Sequence, residues 1–140
     1  MAAAAPDGRQ DGMQEGTQDR PHLPRRVPID GYGKGGFRFE GMSHRGSLLC
    51  LPSGLWAWPV TQAADIGEAA LAPVFAEAAE IDLFLLGIGR ERWTMPDALF
   101  DRFRALKINV EVARTGSAVS TYNILLGEGR RVGAGLIAED

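Results

Sequence analysis

The sequence predicts an α/β fold: a single domain with a mixed sheet of roughly five strands, covered by about three helices. Three observations predict it. Ile81–Gly89 reads Ile-Asp-Leu-Phe-Leu-Leu-Gly-Ile-Gly, the most continuous apolar run in the chain, and it ends in glycines. That is the pattern of a strand buried on both faces. Amphipathic helical patterns lie on both sides of it. Finally, strand 81–86, helix 96–106 and strand 110–113 form a βαβ unit, whose strands should run parallel with a right-handed crossover.

The composition bounds the function. A length of 140 residues suits one domain, and 45% hydrophobic with 24% charged residues places it among ordinary globular proteins. The net charge of −3 argues against a general nucleic-acid binder. No run approaches the ~18 apolar residues of a membrane span. The start lacks the basic and apolar regions of a secretory signal. Cys50 is the only cysteine, so no internal disulfide can form and a reducing compartment is expected. Leu49 and Leu51 flank it, the setting of a buried, inert thiol.

Residues 1–26 hold Gly, Gln, Asp, Arg and Pro with almost no large apolar side chains, and are expected to be a disordered tail. The domain is expected over 27–140. Val27-Pro-Ile29 reads as a short strand. Gly31-Tyr-Gly-Lys-Gly-Gly36 matches G-x-G-x-x-G, but Phe37-Arg-Phe39 after it is strand-like, so the helix that would hold a pyrophosphate is missing. The glycines then serve a turn. Glu40–Gly46 reads as a loop with a solvated His44, and Ser47–Leu51 as the next strand. Trp56 and Trp58 have two readings: a lid over the core edge, or an exposed patch for a partner. Asp65 is placed to cap a helix over 66–78, interrupted at Pro73. Pro96 suits the first turn of the helix over 96–106. A third helix is expected over 118–126, and a last strand over 131–137.

Ligands on open α/β sheets bind beyond the carboxyl ends of strands. Two such ends are visible. One is Gly87-Ile-Gly89, followed by Arg90 and Arg92; the other is Arg114-Thr-Gly-Ser117, with Thr115 or Ser117 as N-cap of the third helix. If they share an edge, Gly87, Gly89, Arg92, Thr115, Ser117 and Arg130 form a candidate anion or ligand site. The alternative is that the hydroxyls only cap the helix and the arginines only solubilise the rim. No nucleophile–base pair and no metal-ligand spacing is visible, so neither catalytic residues, metal nor cofactor is expected.

Four motifs occur in order: Ile29-x-Gly-Tyr-Gly-x-Gly-x-Phe37, Gly46-Ser-Leu-Leu-x-Leu-Pro52, Asp82-Leu-x-Leu-Leu-Gly-x-Gly89 and Thr115-x-x-Ala-x-x-Thr-Tyr-Asn-x-Leu-x-x-Glu-x-Arg130. Together the chain resembles a family of bacterial and archaeal hypothetical proteins of the Mth type, which includes mitochondrial respiratory complex I assembly factor 3. Matching positions are Gly31, Tyr32, Gly33, Phe37, Gly87, Gly89, Thr115, Ala118, Thr121, Tyr122, Asn123, Glu128 and Arg130. Many members carry Thr between the two glycines where this chain has Ile88, which removes a hydroxyl from that corner. The resemblance implies a compact domain with a five-stranded mixed sheet and no defined activity. It also implies protein partners, including assembly machinery of a membrane complex. The expected function is a non-enzymatic assembly or interaction protein, with Trp56 and Trp58 or the glycine edge as contact surface. The expected location is a bacterial cytoplasm, with the periphery of the inner membrane as the alternative. The alternative is a small-anion-binding protein or enzyme.

Overall fold

The computed structural model describes residues 20–140. Its elements are β1 (Gly31–Gly33), β2 (Gly36–Phe39), β3 (Met42–Arg45), β4 (Ser47–Leu51), β5 (Gly54–Trp58), α1 (Glu68–Ala76), β6 (Leu83–Gly87), α2 (Asp97–Ala105), β7 (Asn109–Ala113), α3 (Thr115–Gly127) and β8 (Val132–Leu136). The apolar run at 81–89 supplies β6, an interior strand of a mixed five-stranded sheet in the order β5-β4-β8-β6-β7. It pairs in parallel with β7 on one side and β8 on the other, while β4 pairs antiparallel with β5 and β8. This is the expected α/β class, with the expected βαβ unit.

Alternation along the strands builds a core on each face. Phe84 and Leu86 point to the α1–α2 side, with Leu71, Val74, Phe75, Leu99 and Phe103. Leu85 points to the other side, with Ala118 and Tyr122 of α3 and Phe37 and Phe39 of β2. Two glycines in β8 let large rings lie against the sheet. A Cβ at Gly135 would stand 2.9 Å from the Trp58 ring, and one at Gly133 would stand 3.1 Å from the Cys50 carbonyl oxygen.

The glycine-rich stretch forms a turn, as the missing helix implied. Gly33 pairs with Gly36, and Lys34 (φ 53°) and Gly35 (φ 81°) make a two-residue connection with both φ positive. The expected loop over Glu40–Gly46 is a second hairpin instead. Glu40 (φ 49°) and Gly41 (φ 74°) turn the chain into β3, which completes a separate sheet in the order β1-β2-β3. Val27-Pro-Ile29 is not a strand. Asn123 clamps it from α3: its Oδ1 accepts the Ile29 N–H and its Nδ2 donates to the Ile29 carbonyl, both at 2.8 Å. The Tyr122 hydroxyl donates to the Val27 carbonyl at 3.0 Å. Side chains of a helix thus replace a strand partner and bury Val27 and Ile29.

Helix ends also differ from expectation. Asp65 does not cap α1; its carboxylate accepts from the Thr61 and Gln62 N–H groups and the Thr61 hydroxyl, around a 3-10 turn at Ala63–Asp65. The helix starts later, after Gly67, and carries Pro73 inside it. Pro96 is the N-cap of α2 rather than a first-turn residue. α3 begins at Thr115, so Arg114 is its N-cap and neither Thr115 nor Ser117 has that role.

The tail expected over 1–26 falls mostly outside the described residues. Within them, the His22 N–H donates to the Leu55 carbonyl at 2.7 Å, and the Leu55 N–H donates to the Leu23 carbonyl at 3.1 Å. These bonds lay residues 22–23 along the outer edge of β5.

Candidate functional site

The parallel pairing of β6 with β7 brings the two glycine- and hydroxyl-bearing corners to one edge, as the sequence predicts. The register runs Leu83↔Asn109 to Gly87↔Ala113. Past the strands the chains stay stitched: the Ile88 N–H donates to the Ala113 carbonyl at 2.9 Å, and the Ile137 N–H donates to the Gly87 carbonyl at 2.8 Å. Thr115, fully buried, joins three segments. Its hydroxyl accepts the Gly89 N–H at 2.9 Å and donates to the Ile137 carbonyl at 2.8 Å.

Next to this corner, around the first turns of α3, lies a groove of about 570 Å3, lined by Tyr32, Arg90, Arg114, Gly116, Ser117, Ser120, Thr121 and Glu139. Ser117, Ser120 and Thr121 fall on one flank of α3 because their spacing matches its turn. The first-turn N–H groups and the positive end of the helix dipole face the same end of the groove. Gly89 (φ 68°) turns the chain so that Arg90 reaches the rim, where its Nε lies 3.8 Å from Glu139 Oε1. The Arg114 guanidinium makes no ion pair among the described residues. Tyr32 comes from the β1–β2 hairpin, and its hydroxyl lies against Gly116, where a Cβ would come within 2.2 Å of it. The lining holds two cations, one carboxylate and several hydroxyls. It holds no histidine or cysteine, and its cations and hydroxyls can bind an anion.

Of the residues singled out by sequence, Ser117 lines the groove, while Thr115, Gly87 and Gly89 form the adjoining buried corner and are not in its lining. A Cβ on Gly87 would come within 2.8 Å of the Thr115 Cα, which explains the glycine there. Arg92 is exposed and does not line the groove. Arg130 lies beyond the far end of α3, ~20 Å of helix from the first turn. Sequence proximity to the helix misplaced it. Arg90, Arg114 and Gly116 stood in the two corner segments but outside the candidate set, and Ser120 and Glu139 were missed. The helical spacing of Ser117, Ser120 and Thr121 was the available signal. Among the family-motif residues, Gly31 and Gly33 pair with β2, Phe37 is buried, Thr121 reaches the groove, and Glu128 caps α3 at an exposed position.

Trp58 does not form the exposed patch of the second reading. It is buried, and its indole N–H donates to the Ala70 carbonyl at 2.9 Å. Trp56 packs half-buried against the same core and donates to Ser53 Oγ at 2.9 Å. Both pack on the core, Trp58 within it and Trp56 at its half-exposed edge. His44 is not simply solvated: Nδ1 meets His22 Nε2 at 2.9 Å, and Nε2 meets the Ser47 carbonyl at 2.9 Å. Burial pushes the Cys50 thiol up to about 12. The described residues contain no cluster of three or more His, Cys, Asp and Glu suited to a metal.

Over residues 29–137 the chain matches the family described as "Protein of unknown function (DUF498/DUF598)". The chain belongs to that family. A relative of similar size, an uncharacterised protein of Rhodobacter capsulatus, is 40% identical over 117 residues, 84% of this chain and 89% of that protein. NADH dehydrogenase (ubiquinone) 1 alpha subcomplex assembly factor 3 of Drosophila melanogaster is 34% identical over 91% of this chain and 66% of its own length. This chain thus spans just under two-thirds of that assembly factor. A crystal structure called an outer membrane protein from Bartonella henselae superposes with a TM-score of 0.81 at 40% identity, covering 85% of this chain and 100% of that one. Among the described residues of this chain, no helix is long and apolar enough to cross a membrane.

Proposed function

We propose that this DUF498/DUF598 chain is a non-enzymatic interaction protein that serves the assembly of an NADH dehydrogenase. In this reading it works in the cytoplasm, at the inner face of the membrane, and holds an acidic segment of a partner protein. One observation carries the proposal: Arg114, which makes no ion pair among the described residues, lines with Arg90 an open groove at the positive end of α3. Such a lining favours carboxylates through charge-assisted hydrogen bonds. The assembly-factor relatives supply the class of partner. A photo-crosslinking residue at Ser120, placed in the native cell, tests it. The expected products are subunits or intermediates of NADH dehydrogenase. Products lacking all of them contradict the assignment.

One observation favours a second reading. A groove of about 570 Å3 has the size of a small-molecule site, and Ser117, Ser120 and Thr121 offer hydroxyls beside the first-turn N–H groups. Thermal shift with inorganic phosphate, sulfate and simple carboxylates separates the two. Stabilisation of the parent that is lost in Arg114→Ala favours a small anion; no shift with any of them favours the protein partner.

A further inference from the structure

The two edges of the five-stranded sheet are treated differently. The β5 edge is covered by residues 22–23, which bond to Leu55. The β7 edge has no strand beside it among the described residues. The ladder fixes which groups are left over. The Asn109 N–H donates to the Asp82 carbonyl, and the Ala113 carbonyl accepts the Ile88 N–H, both at 2.9 Å. Residues 109, 111 and 113 therefore turn their main-chain groups toward β6. Val110 and Val112 turn theirs outward.

Apolar surface accompanies this row. Val112 is 37% exposed, and Phe100 of the neighbouring α2 is 44% exposed. Arg102 bonds to Glu68 of α1 at 3.0 Å and lies over the Phe75 ring, so that flank of α2 faces α1. Residues two apart on a helix diverge by about 200°. Phe100 is thus on the flank toward the β7 edge. Natural edges are usually guarded by proline, bulges or several charges. β7 has an unbroken register, no proline and one charge, Glu111.

We propose that the β7 edge docks an extended segment of a partner protein by strand addition, with apolar residues on the side of Val112 and Phe100 and a lysine or arginine opposite Glu111. Main-chain bonds to Val110 and Val112 supply the pairing, and alternate side chains supply the selectivity. Charge decides the occupant. In the antiparallel pairing of two copies that overlaps β7 fully, Glu111 faces the Glu111 of the other copy, and like charges directly opposite are destabilising. A basic residue there is favourable. This surface is separate from the groove and does not depend on the reading given to it.

The test uses the full chain and a short synthetic peptide of alternating valine and lysine, with amide exchange at single residues as readout. The expected result is that the peptide slows exchange at Val110 and Val112 by about tenfold or more. A peptide with glutamate for lysine, or with N-methylated main chain, should not. Glu111→Lys should reverse the preference between lysine and glutamate peptides. Protection spread over the chain, or an unchanged preference in Glu111→Lys, would overturn the proposal. So would concentration-dependent protection of Val110 and Val112 in the chain alone, which would make a second copy the occupant.

Discussion

Thr115 accepts the Gly89 N–H at 2.9 Å through the same hydroxyl that donates to the Ile137 carbonyl at 2.8 Å. One buried side chain therefore ties the end of β6, the start of α3 and the end of β8. Thr115→Val leaves a buried N–H and a buried carbonyl without partners, each costing roughly 1–3 kcal/mol. Thr115→Ser keeps both bonds. Urea denaturation should show a large fall in midpoint for valine and a small one for serine. The valine variant is a folding lesion, so it does not probe ligand binding.

Two glycines at this corner should respond in opposite ways to alanine. A Cβ at Gly87 meets the Thr115 backbone at 2.8 Å and Ala118 and Leu136 at 3.1 Å, all fixed neighbours. Gly87→Ala is expected to cost about 1–3 kcal/mol by overpacking. At Gly116 the obstacle is the tip of the half-exposed Tyr32 side chain, which can swing away. Gly116→Ala should unfold no earlier than the parent, since alanine favours a helix by up to ~1 kcal/mol, while Tyr32 leaves the groove. Chemical denaturation and the Tyr32 ring resonances read the two effects.

The His22–His44 contact makes the β5 edge sensitive to pH. The Ser47 carbonyl can only accept, so His44 carries its proton on Nε2 and its Nδ1 accepts from His22 Nε2–H. Burial lowers both pKa values below the ordinary 6.5; proximity to His44 lowers that of His22 further, and the bond to Ser47 offsets part of the shift in His44. The unfolded or detached imidazoles bind protons more readily, so this contact is fully stabilising above pH 6.5 and weakens as pH falls below it. Amide exchange at Leu55, whose N–H bonds to Leu23, should accelerate as pH drops from 7 to 5 after correction for intrinsic rates. A pH-independent corrected rate contradicts this.

Cys50 is fully buried in β4, with its thiol pushed up to about 12 by burial. At neutral pH the native chain should not react with a thiol reagent over hours, and should react within minutes in denaturant. Prompt native labelling would contradict the packing of that strand.

The parts of the fold that were legible in sequence are those whose signal is local. The Leu-Phe-Leu-Leu-Gly run of β6 and the stripe of Leu99 and Phe103 in α2 carry their periodicity within a few residues. The small sheet was only half legible, because β3 has no apolar alternation and exists through the turn at Glu40 and Gly41. The docking of residues 22–23 was invisible, since its partner Leu55 is remote in sequence and supplies main-chain groups, which composition does not report. At the site, the meeting of the two corners followed from the βαβ rule. Its lining did not: Tyr32 arrives from the other sheet, and Arg130, near α3 in sequence, belongs to the opposite end.

The level of NADH dehydrogenase in a native strain carrying Arg114→Glu tests the central claim most directly. The substitution reverses a groove charge that has no ion-pair partner among the described residues, at an exposed position, and should leave the fold intact. The account predicts that the variant accumulates to the parent's level while assembled NADH dehydrogenase on native gels falls and partial complexes build up. Full assembly with the stable variant would contradict it.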